Sequence, residues 1–480
     1  MKQEQKKVSR REFIKTSAAA TAVLATPLIL PRSVFGANER IRVAVLGVNG
    51  RGKDHIKGMM NQPDVQVVTL CDPDSSISAQ RAKEFEQTYN KPVKTEQDLR
   101  RVFDDKEIDA VTIATPNHWH ALAGIWAAQA GKHAHLEKPF SHNIFEGRKL
   151  IEAAQTYHTI IHHGTESRNS DSCRAAIQLL REGVIGEVYL AKGLCYKWRN
   201  TIGEYPDGPM QEGQVFRFTP EGDAKPPFTE AYLNKVDYDL WQGPAQLRPF
   251  NPNRFHYNWH WNENYGNGDI GNQGIHEMDI ALWGLNRTDW PKQVISSGGK
   301  FIWQDDQETP NTQTAAFTWP DGEMTFDVRN LPTPPEGLVV MRGPNYVGNI
   351  FFGDLGFMVL DPSGFQVFKS TAGNFVGARG AGAGSRERYE KTAEEKGGGD
   401  FTVAHMKNFI EAVKSRDHTK LAAEIEIGAR SAAFCHMANL AYRLARPLKV
   451  DANGRFIGDA EANAMQTRKY RAPYVVPDRV

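Results

Sequence analysis

The chain has 480 residues, 40% hydrophobic and 24% charged, a balance that builds sizeable globular cores and excludes a disordered or collagen-like chain. The formal net charge is +1, and no basic stripe of the kind that tracks nucleic acid is present. Residues 1–36 hold seven Lys/Arg against two Asp/Glu, so the remainder carries a net charge near −4 and has no electrostatic pull toward polyanions or membrane surfaces.

The chain opens with an address. Ser9-Arg10-Arg11-Glu12-Phe13-Ile14-Lys15 is followed by an apolar stretch from Ala18 to Leu30, interrupted at Pro27, and by the small-residue exit Val34-Phe35-Gly36. The stretch is too short to span a bilayer, and the order of parts is that of a signal peptide. Paired arginines with Phe13 and Lys15 behind them resemble a twin-arginine signal; a general secretory signal is the alternative. Residues 1–37 are therefore expected to be a cleaved leader, with cleavage near Gly36 or Ala37, and the mature protein to be periplasmic or otherwise exported, with no membrane span. Folded export lets a cofactor travel inside the protein. Cys71, Cys173, Cys195 and Cys435 show no C-x-x-C spacing and are read as buried thiols.

From Arg40 onward, short apolar runs alternate with amphipathic segments. Strands are predicted at 41–46, 65–71, 109–115, 133–137 and 159–163, with helices from Lys53, between the second and third of these strands, over 118–130 and over 144–157. That alternation predicts a parallel sheet covered by helices on both faces, here a Rossmann domain over 38–164. The texture then changes. A helix is predicted over 168–183 and a strand over 187–196. A long loop follows over 200–230. Several strands over 294–368 suit an open, mainly antiparallel sheet. A Gly- and charge-rich arm is expected over 371–400, then helices over 401–414 and 425–444 and a polar tail. The fold class is α/β: an N-terminal doubly wound parallel sheet, then an α+β domain over 165–480.

Gly47-Val-Asn-Gly-Arg-Gly52 lies between the first strand and first helix, where a tight turn brings backbone N–H groups to a pyrophosphate. The usual middle glycine of G-x-G-x-x-G is Asn49, with Gly50 beside it. Asp72 ends the second strand 20 residues after Gly52. An acid there bonds the ribose hydroxyls and favours NAD over NADP, although Asp72 also suits a helix N-cap and Arg51 a 2′-phosphate, so NADP stays open.

Three further stretches carry a resemblance: Thr115-Pro-Asn-His-Trp-His120, Gly131-Lys-His-Ala-His-Leu-Glu-Lys-Pro139 and Gly266-Asn-Gly-Asp-Ile-Gly-Asn-Gln-Gly-Ile-His-Glu-Met-Asp279. With the cradle, they make the chain similar to the Gfo/Idh/MocA oxidoreductases, closest to exported, sugar-related members. The resemblance implies a sugar or polyol substrate in a pocket between the two domains and homo-oligomers through the second sheet. It implies that Gly47, Asn49, Gly50, Arg51, Gly52, Asp72, Thr115, Pro116, Asn117, His120, Glu137 and Lys138 hold the cofactor. Lys138 of Glu-Lys-Pro would sit beside the nicotinamide and the reacting hydroxyl. The second signature, Asp-x-x-x-His, is matched at His276, but its first position is Asn272. Asp269 stands three residues earlier and either compensates or shapes the turn. His276 suits a general base, with Asp279 one turn on to orient it. Arg168, after the last parallel strand, suits a sugar hydroxyl or carboxylate, or else a salt bridge. Trp259, within the aromatic run 255–265, suits a sugar face, or else domain packing.

Histidines at 118/120, 133/135, 162/163 and 256/260 are read as scattered and without a carboxylate pattern, so no metal is expected. The sequence therefore points to hydride transfer between a sugar, glycoside or cyclitol hydroxyl and a tightly held nicotinamide. NAD-assisted glycoside cleavage with net hydrolysis, and non-catalytic sugar binding, stand as alternatives.

Overall fold

The computed structural model describes residues 40–217, 224–225, 228–333, 346–361, 364–370, 389–396 and 400–480. The leader and its cleavage site lie outside these residues.

The first part is a six-stranded parallel sheet. Its strands are β1 (Ile41–Leu46), β2 (Val65–Cys71), β3 (Lys94–Glu96), β4 (Ala110–Ile113), β5 (His133–Leu136) and β6 (Ile161–His163), in spatial order β3-β2-β1-β4-β5-β6. Its helices are α1 (Gly52–Met60), α2 (Ser75–Tyr89), α3 (Leu99–Asp104), α4 (Asn117–Gln129) and α5 (Ile144–Tyr157). The Ile-Arg-Val-Ala-Val-Leu run of β1 is buried along almost its whole length, as a central parallel strand with helices on both faces must be. The pairing puts Leu46 opposite both Cys71 and Ile113. The turns after β1, β2 and β4 therefore emerge together at the carboxyl edge, where open α/β sheets bind ligands. The chain order of strands and helices follows the sequence pattern, but β3 and α3 are too short to announce themselves.

The second part is a nine-stranded mixed sheet. It contains β7 (Val188–Tyr196), β8 (Gln293–Gly299), β9 (Thr312–Trp319), β10 (Gly322–Arg329), β11 (Tyr346–Gly353), β12 (Gly356–Asp361), β13 (Gly364–Ser370), β14 (Tyr389–Lys396) and β15 (Leu448–Lys449), in the order β14-β13-β12-β11-β7-β10-β9-β8-β15. Only β7 and β10 pair in parallel. The accompanying helices are α6 (Asp171–Arg181), the short α7 (Glu230–Leu233) and α8 (Tyr238–Gln242), then α9 (Gly268–Asn272), α10 (Gly274–Gly284), α11 (Phe401–Ser415), α12 (Ile425–Leu444) and α13 (Ala460–Ala464). Gly193 lets α10 lie directly on β7: a Cβ there would sit 2.9 Å from the Glu277 Cβ.

Two expectations change. Part of the arm expected over 371–400 is a strand, because 389–396 pairs antiparallel with β13 along its length; residues 371–388 and 397–399 lie outside the described ones. The predicted helix over 168–183 is split, since Glu166–Asn169 is a 3-10 turn and Ser170 then caps α6 by accepting from Cys173 N.

The histidines are not scattered. β5 and β6 carry His135, His162 and His163, and α1 and α11 bring His55 and His405 to them, all buried. The His135 and His162 Nδ1 atoms are 3.2 Å apart. The His162 and His405 rings overlap with centroids 3.9 Å apart, and both His405 nitrogens lie against oxygens of Asn169 and His163. The rings are tilted or edge-on to one another, and one ligand atom from each of His135, His162 and His405 comes within 4.8 Å of the other two, as do those of His55, His135 and Glu137. Burial holds His135, His162, His163 and His405 neutral, pushing His405 down to about 4 and His163 to about 3. Their contribution to stability is full above the unfolded value near 6.5 and is lost as pH falls toward the folded values. Each such histidine costs up to about 2 kcal/mol at pH 5. The thermal unfolding midpoint of the mature protein should therefore fall steeply as pH drops from about 6.5 to about 4; a flat profile across that window refutes the neutral cluster.

Candidate active site

The cradle is built by steric necessity. Gly47 has φ +80°, and a Cβ there would lie 2.6 Å from the Ala114 carbonyl oxygen. A Cβ on Gly52 would lie 2.0 Å from the Gly47 oxygen. Gly50, by contrast, has nothing within 4 Å, leaving bare backbone open to a ligand at the start of α1. These positions fit a dinucleotide pyrophosphate, which needs a tight turn and close backbone approach. Asp72 is fixed beside the turn by accepting from Val48 N (2.9 Å) and Asp74 N (3.1 Å). Burial nonetheless pushes its pKa up to about 6. The N-cap of α2 is Asp74, not Asp72, which leaves Asp72 on the cavity wall.

A cavity of about 460 Å³ runs from this cradle to Lys138 and Asn272. Asn49, Gly50, Arg51, Asp72, Thr115, Pro116, Asn117, His120 and Glu137 border it. Its opposite wall comes from residues 240–260, including Trp241, His256 and Trp259. This segment is strapped to the Rossmann part. Ser75 N donates to Lys235 O at 3.0 Å, and Asp237 N to Pro73 O at 2.9 Å. A side-chain chain crosses the same gap: Asn49 Nδ2 donates to His256 Nδ1 (2.9 Å), His256 Nε2 donates to the Tyr232 hydroxyl (2.8 Å), and that hydroxyl donates to Asp74. Asn49, the departure from the glycine pattern, thus has a partner 207 residues away. Nothing in the local sequence of Tyr232 or His256 signals this; the odd residue in the cradle was the available clue.

At the far end of the cavity, Lys138 Nζ donates to both the carbonyl (2.7 Å) and the side-chain oxygen (3.1 Å) of Asn272. Burial lowers its pKa, partly opposed by Glu137. The Glu137 carboxylate accepts from Arg51 Nε at 2.8 Å and lies 3.1 Å from His55 Nε2; although burial opposes ionisation, Arg51 and His55 hold it well below the usual carboxylate range. His276, on α10, has a buried Nδ1 with no hydrogen-bond partner among the described residues. Burial, and then the charge of Lys138, hold its ring neutral. Trp259 borders the cavity and stacks on His260 with centroids 3.6 Å apart.

Several expected roles change. Asp279 does not orient His276: both its oxygens accept from Arg168 (2.7 and 3.0 Å), and Ser431 Oγ donates to it as well. Arg168 is thereby spent in a buried ion pair and does not border the cavity. Asp269 is also turned inward. Arg199 grips it at 2.7 and 3.0 Å, Asn330 donates to it, and Asn272 Nδ2 donates to it at 3.1 Å. It shapes the turn that carries Asn272. Arg51 is committed to Glu137, Glu166 and Thr402, which argues against the 2′-phosphate role it could have had. Lys197 and Arg199, past the end of β7, were not foreseen; they lie in a stretch that reads only as strand and loop.

Residues 41–165 match the family model described as "Oxidoreductase family, NAD-binding Rossmann fold", and residues 211–322 and 400–476 match "Oxidoreductase family, C-terminal alpha/beta domain". The chain belongs to the Gfo/Idh/MocA oxidoreductase family. Residues 7–27 match the twin-arginine translocation signal model, so this family member is exported. Among curated relatives, a glycosyl hydrolase family 109 protein of Stenotrophomonas maltophilia is 30% identical over 229 residues, 45% of this chain and 48% of the relative. An alpha-N-acetylgalactosaminidase of Shewanella oneidensis is 29% identical over 210 residues, 38% of this chain and 44% of the relative. The chain thus spans about half the length of the curated relatives it matches. Among solved structures, a levoglucosan dehydrogenase in complex with NADH and levoglucosan superposes with TM-score 0.60 at 15% identity, covering 86% of this chain and 99% of that one. An aldose-aldose oxidoreductase of Caulobacter crescentus gives 0.58 at 16%, covering 86% and 100%. These likenesses show the fold. No helix among the described residues is long and apolar enough to cross a membrane.

The geometry at Asp72 makes a cofactor prediction. Asp72→Ala removes a carboxylate from the cavity wall. The affinity of nucleotide-stripped protein for NAD should fall about tenfold, as for one lost charged hydrogen bond. The NADP affinity should fall less, measured by fluorescence titration; equal losses for both cofactors would contradict the assignment.

Proposed function

We propose that this family member oxidises a hydroxyl of a sugar, glycoside or cyclitol with a retained nicotinamide, in the periplasm after folded export. Residues 38–164 hold the cofactor, and residues 165–480 hold the substrate and the assembly surface. The observation that carries this reading is the single cavity that joins the glycine cradle to Lys138, so that a hydroxyl held by the lysine faces the reactive end of the dinucleotide.

Bound NAD would supply the hydride acceptor. Two Lys138 N–H groups are taken by Asn272 oxygens, which leaves one direction for the substrate hydroxyl. A lysine whose pKa burial has lowered can take the hydroxyl proton as the carbinol carbon loses its hydride and becomes a carbonyl. His276, whose ring burial and the charge of Lys138 hold neutral, does not border the cavity, so the proton step rests on Lys138. Glu137 fixes the chain just before Lys138, and Trp259 offers an aromatic face to the sugar.

Retention of the cofactor is supported by the strap. A dinucleotide lying along the cavity would be covered by 240–260, and its exit would require the Asn49–His256–Tyr232–Asp74 chain to open. A homo-oligomer through the second sheet rests on the family resemblance; the apolar cluster of Leu194, Tyr196, Tyr346, Ile350 and Val359 on the face away from α10 is already buried within one chain.

Glycoside cleavage with a transiently reduced cofactor is a second reading, favoured by the family 109 relatives. An aryl glycoside separates the two: oxidation reduces the cofactor and leaves the aglycone attached, whereas cleavage frees the aglycone without net reduction.

Two measurements check the proposal. Gently denatured mature protein should release NAD, and sugars should raise the near-ultraviolet absorbance of reduced nicotinamide in the protein fraction. Lys138→Ala should then lower that reduction by about 10²–10⁴-fold while the nucleotide stays bound; unchanged turnover removes Lys138 from the chemistry. In the second, His256→Ala breaks the strap at its centre, and nucleotide release in a competitor chase should quicken by about tenfold, as for one or two lost hydrogen bonds. Release at the wild-type rate would mean that the strap does not retain the cofactor.

A further inference from the structure

Two lysines flank the turn between α9 and α10, and neither has a carboxylate partner among the described residues. Lys138 reaches it from the Rossmann part and bonds Asn272. Lys197 reaches it from the end of β7 and donates to Gln273 Oε1 at 2.7 Å. The two acceptors are consecutive in sequence, so the two amino groups meet the chain at one backbone step. They are close enough for the charge of Lys197 to depress the pKa of Lys138.

The carboxylates that would ordinarily neutralise this pair are committed elsewhere or uncharged. Asp269 is gripped by Arg199, Asn330 and Asn272. Glu137 and Glu166 share Arg51. Glu277, which accepts from Gln273 Nε2 at 3.1 Å, is pushed up to about 8 by burial and is mostly protonated near neutrality. Position 272 itself is Asn, where the signature residue would be Asp. That change removes a negative charge within hydrogen-bond reach of Lys138. Lys197 is only half-buried and has one amide partner, which leaves two of its three N–H directions unspent. A neutral hydroxyl would satisfy one of them; a carboxylate can accept from both and offset the charge.

We infer that this site is built for an acidic sugar, a uronate or a related aldonic or glycosiduronic acid, with Lys197 as the residue that binds its carboxylate and selects it over the neutral sugar. The inference rests on the proposed sugar-oxidising function and adds the substrate's charge. The reaction is unchanged: the hydroxyl proton goes to Lys138 Nζ, the hydride goes to bound NAD, and the carboxylate takes no part in bond making. Lys197 acts on recognition, so its effect belongs in KM more than in kcat.

The test uses mature, cofactor-loaded protein and matched pairs: glucose with glucuronate, galactose with galacturonate, and their methyl glycosides. Cofactor reduction and thermal shift are both read. The expected result is a kcat/KM for an acidic sugar at least about tenfold above that of its neutral partner, the scale of one charge-assisted hydrogen bond. Lys197→Gln should collapse that ratio, mainly through KM, while Lys197→Arg should keep most of it and added salt should erode it. Equal or better turnover of the neutral partners, or a ratio that Lys197→Gln leaves intact, overturns the inference. If no sugar reduces a demonstrably bound cofactor, the oxidation reading itself fails. Charge selection is then decided by thermal shift: uronates that stabilise wild type and Lys197→Arg but not Lys197→Gln uphold it, and equal shifts for acidic and neutral sugars overturn it.

Discussion

Arg51 lies between Gly50 and Gly52 in the cradle, and its guanidinium is shared by Glu137 and Glu166, with Thr402 on α11 beside it. One cation therefore joins the turn after β1, the segment after β5 that leads into Lys138, the segment after β6, and a helix 351 residues along the chain. Glu137 is almost wholly buried, and an ionised carboxylate in such a place persists only with a partner. Removing Arg51 would leave that charge uncompensated, a loss of about 3–5 kcal/mol for a buried pair. The same contact sets the distance between cradle and lysine, on which the proposed chemistry depends.

Around that anchor the molecule separates two kinds of polar burial. Arg168–Asp279 and Arg199–Asp269 are closed pairs with bidentate geometry; they hold the two flanks of α9 and α10 and offer nothing to a ligand. Lys138 and Lys197, held by oxygens of Asn272 and Gln273, and His276, whose Nδ1 has no partner among the described residues, are the open groups around the turn between α9 and α10. The closed pairs fix the walls of the turn that the two lysines flank. The buried histidines beneath β5 and β6 are a third case. Neutral rings packed against one another carry little desolvation penalty near pH 7, and they link the Rossmann sheet to α11.

Much of this was legible in the chain. The β-branched runs, the glycines of the cradle and the Glu-Lys-Pro segment have local causes: periodicity, turn sterics and strand-edge position act over a few residues. The helices over 144–157 and 425–444 fall where their patterns put them. The site readings that changed all concern pairings. Arg168, Asp269 and Asp279 are residues of the right type in the right neighbourhood, and their spacing on a helix says who is near along the chain but not who arrives from elsewhere. Asp279 is one turn from His276, yet Arg168, 111 residues away, occupies it.

The sequence by itself determined the export signal, the doubly wound sheet, the cradle and the place of Lys138, because each is written in a contiguous stretch whose geometry its own residues enforce. The tertiary structure decided what those stretches face. It gave Asn49 its partner in His256, turned Asp269 and Arg168 inward, gathered the histidines into one core, and set Lys197 beside Lys138. These are contacts between residues tens to hundreds of positions apart, fixed by how the second sheet and its helices pack on the first. No local pattern carries that information.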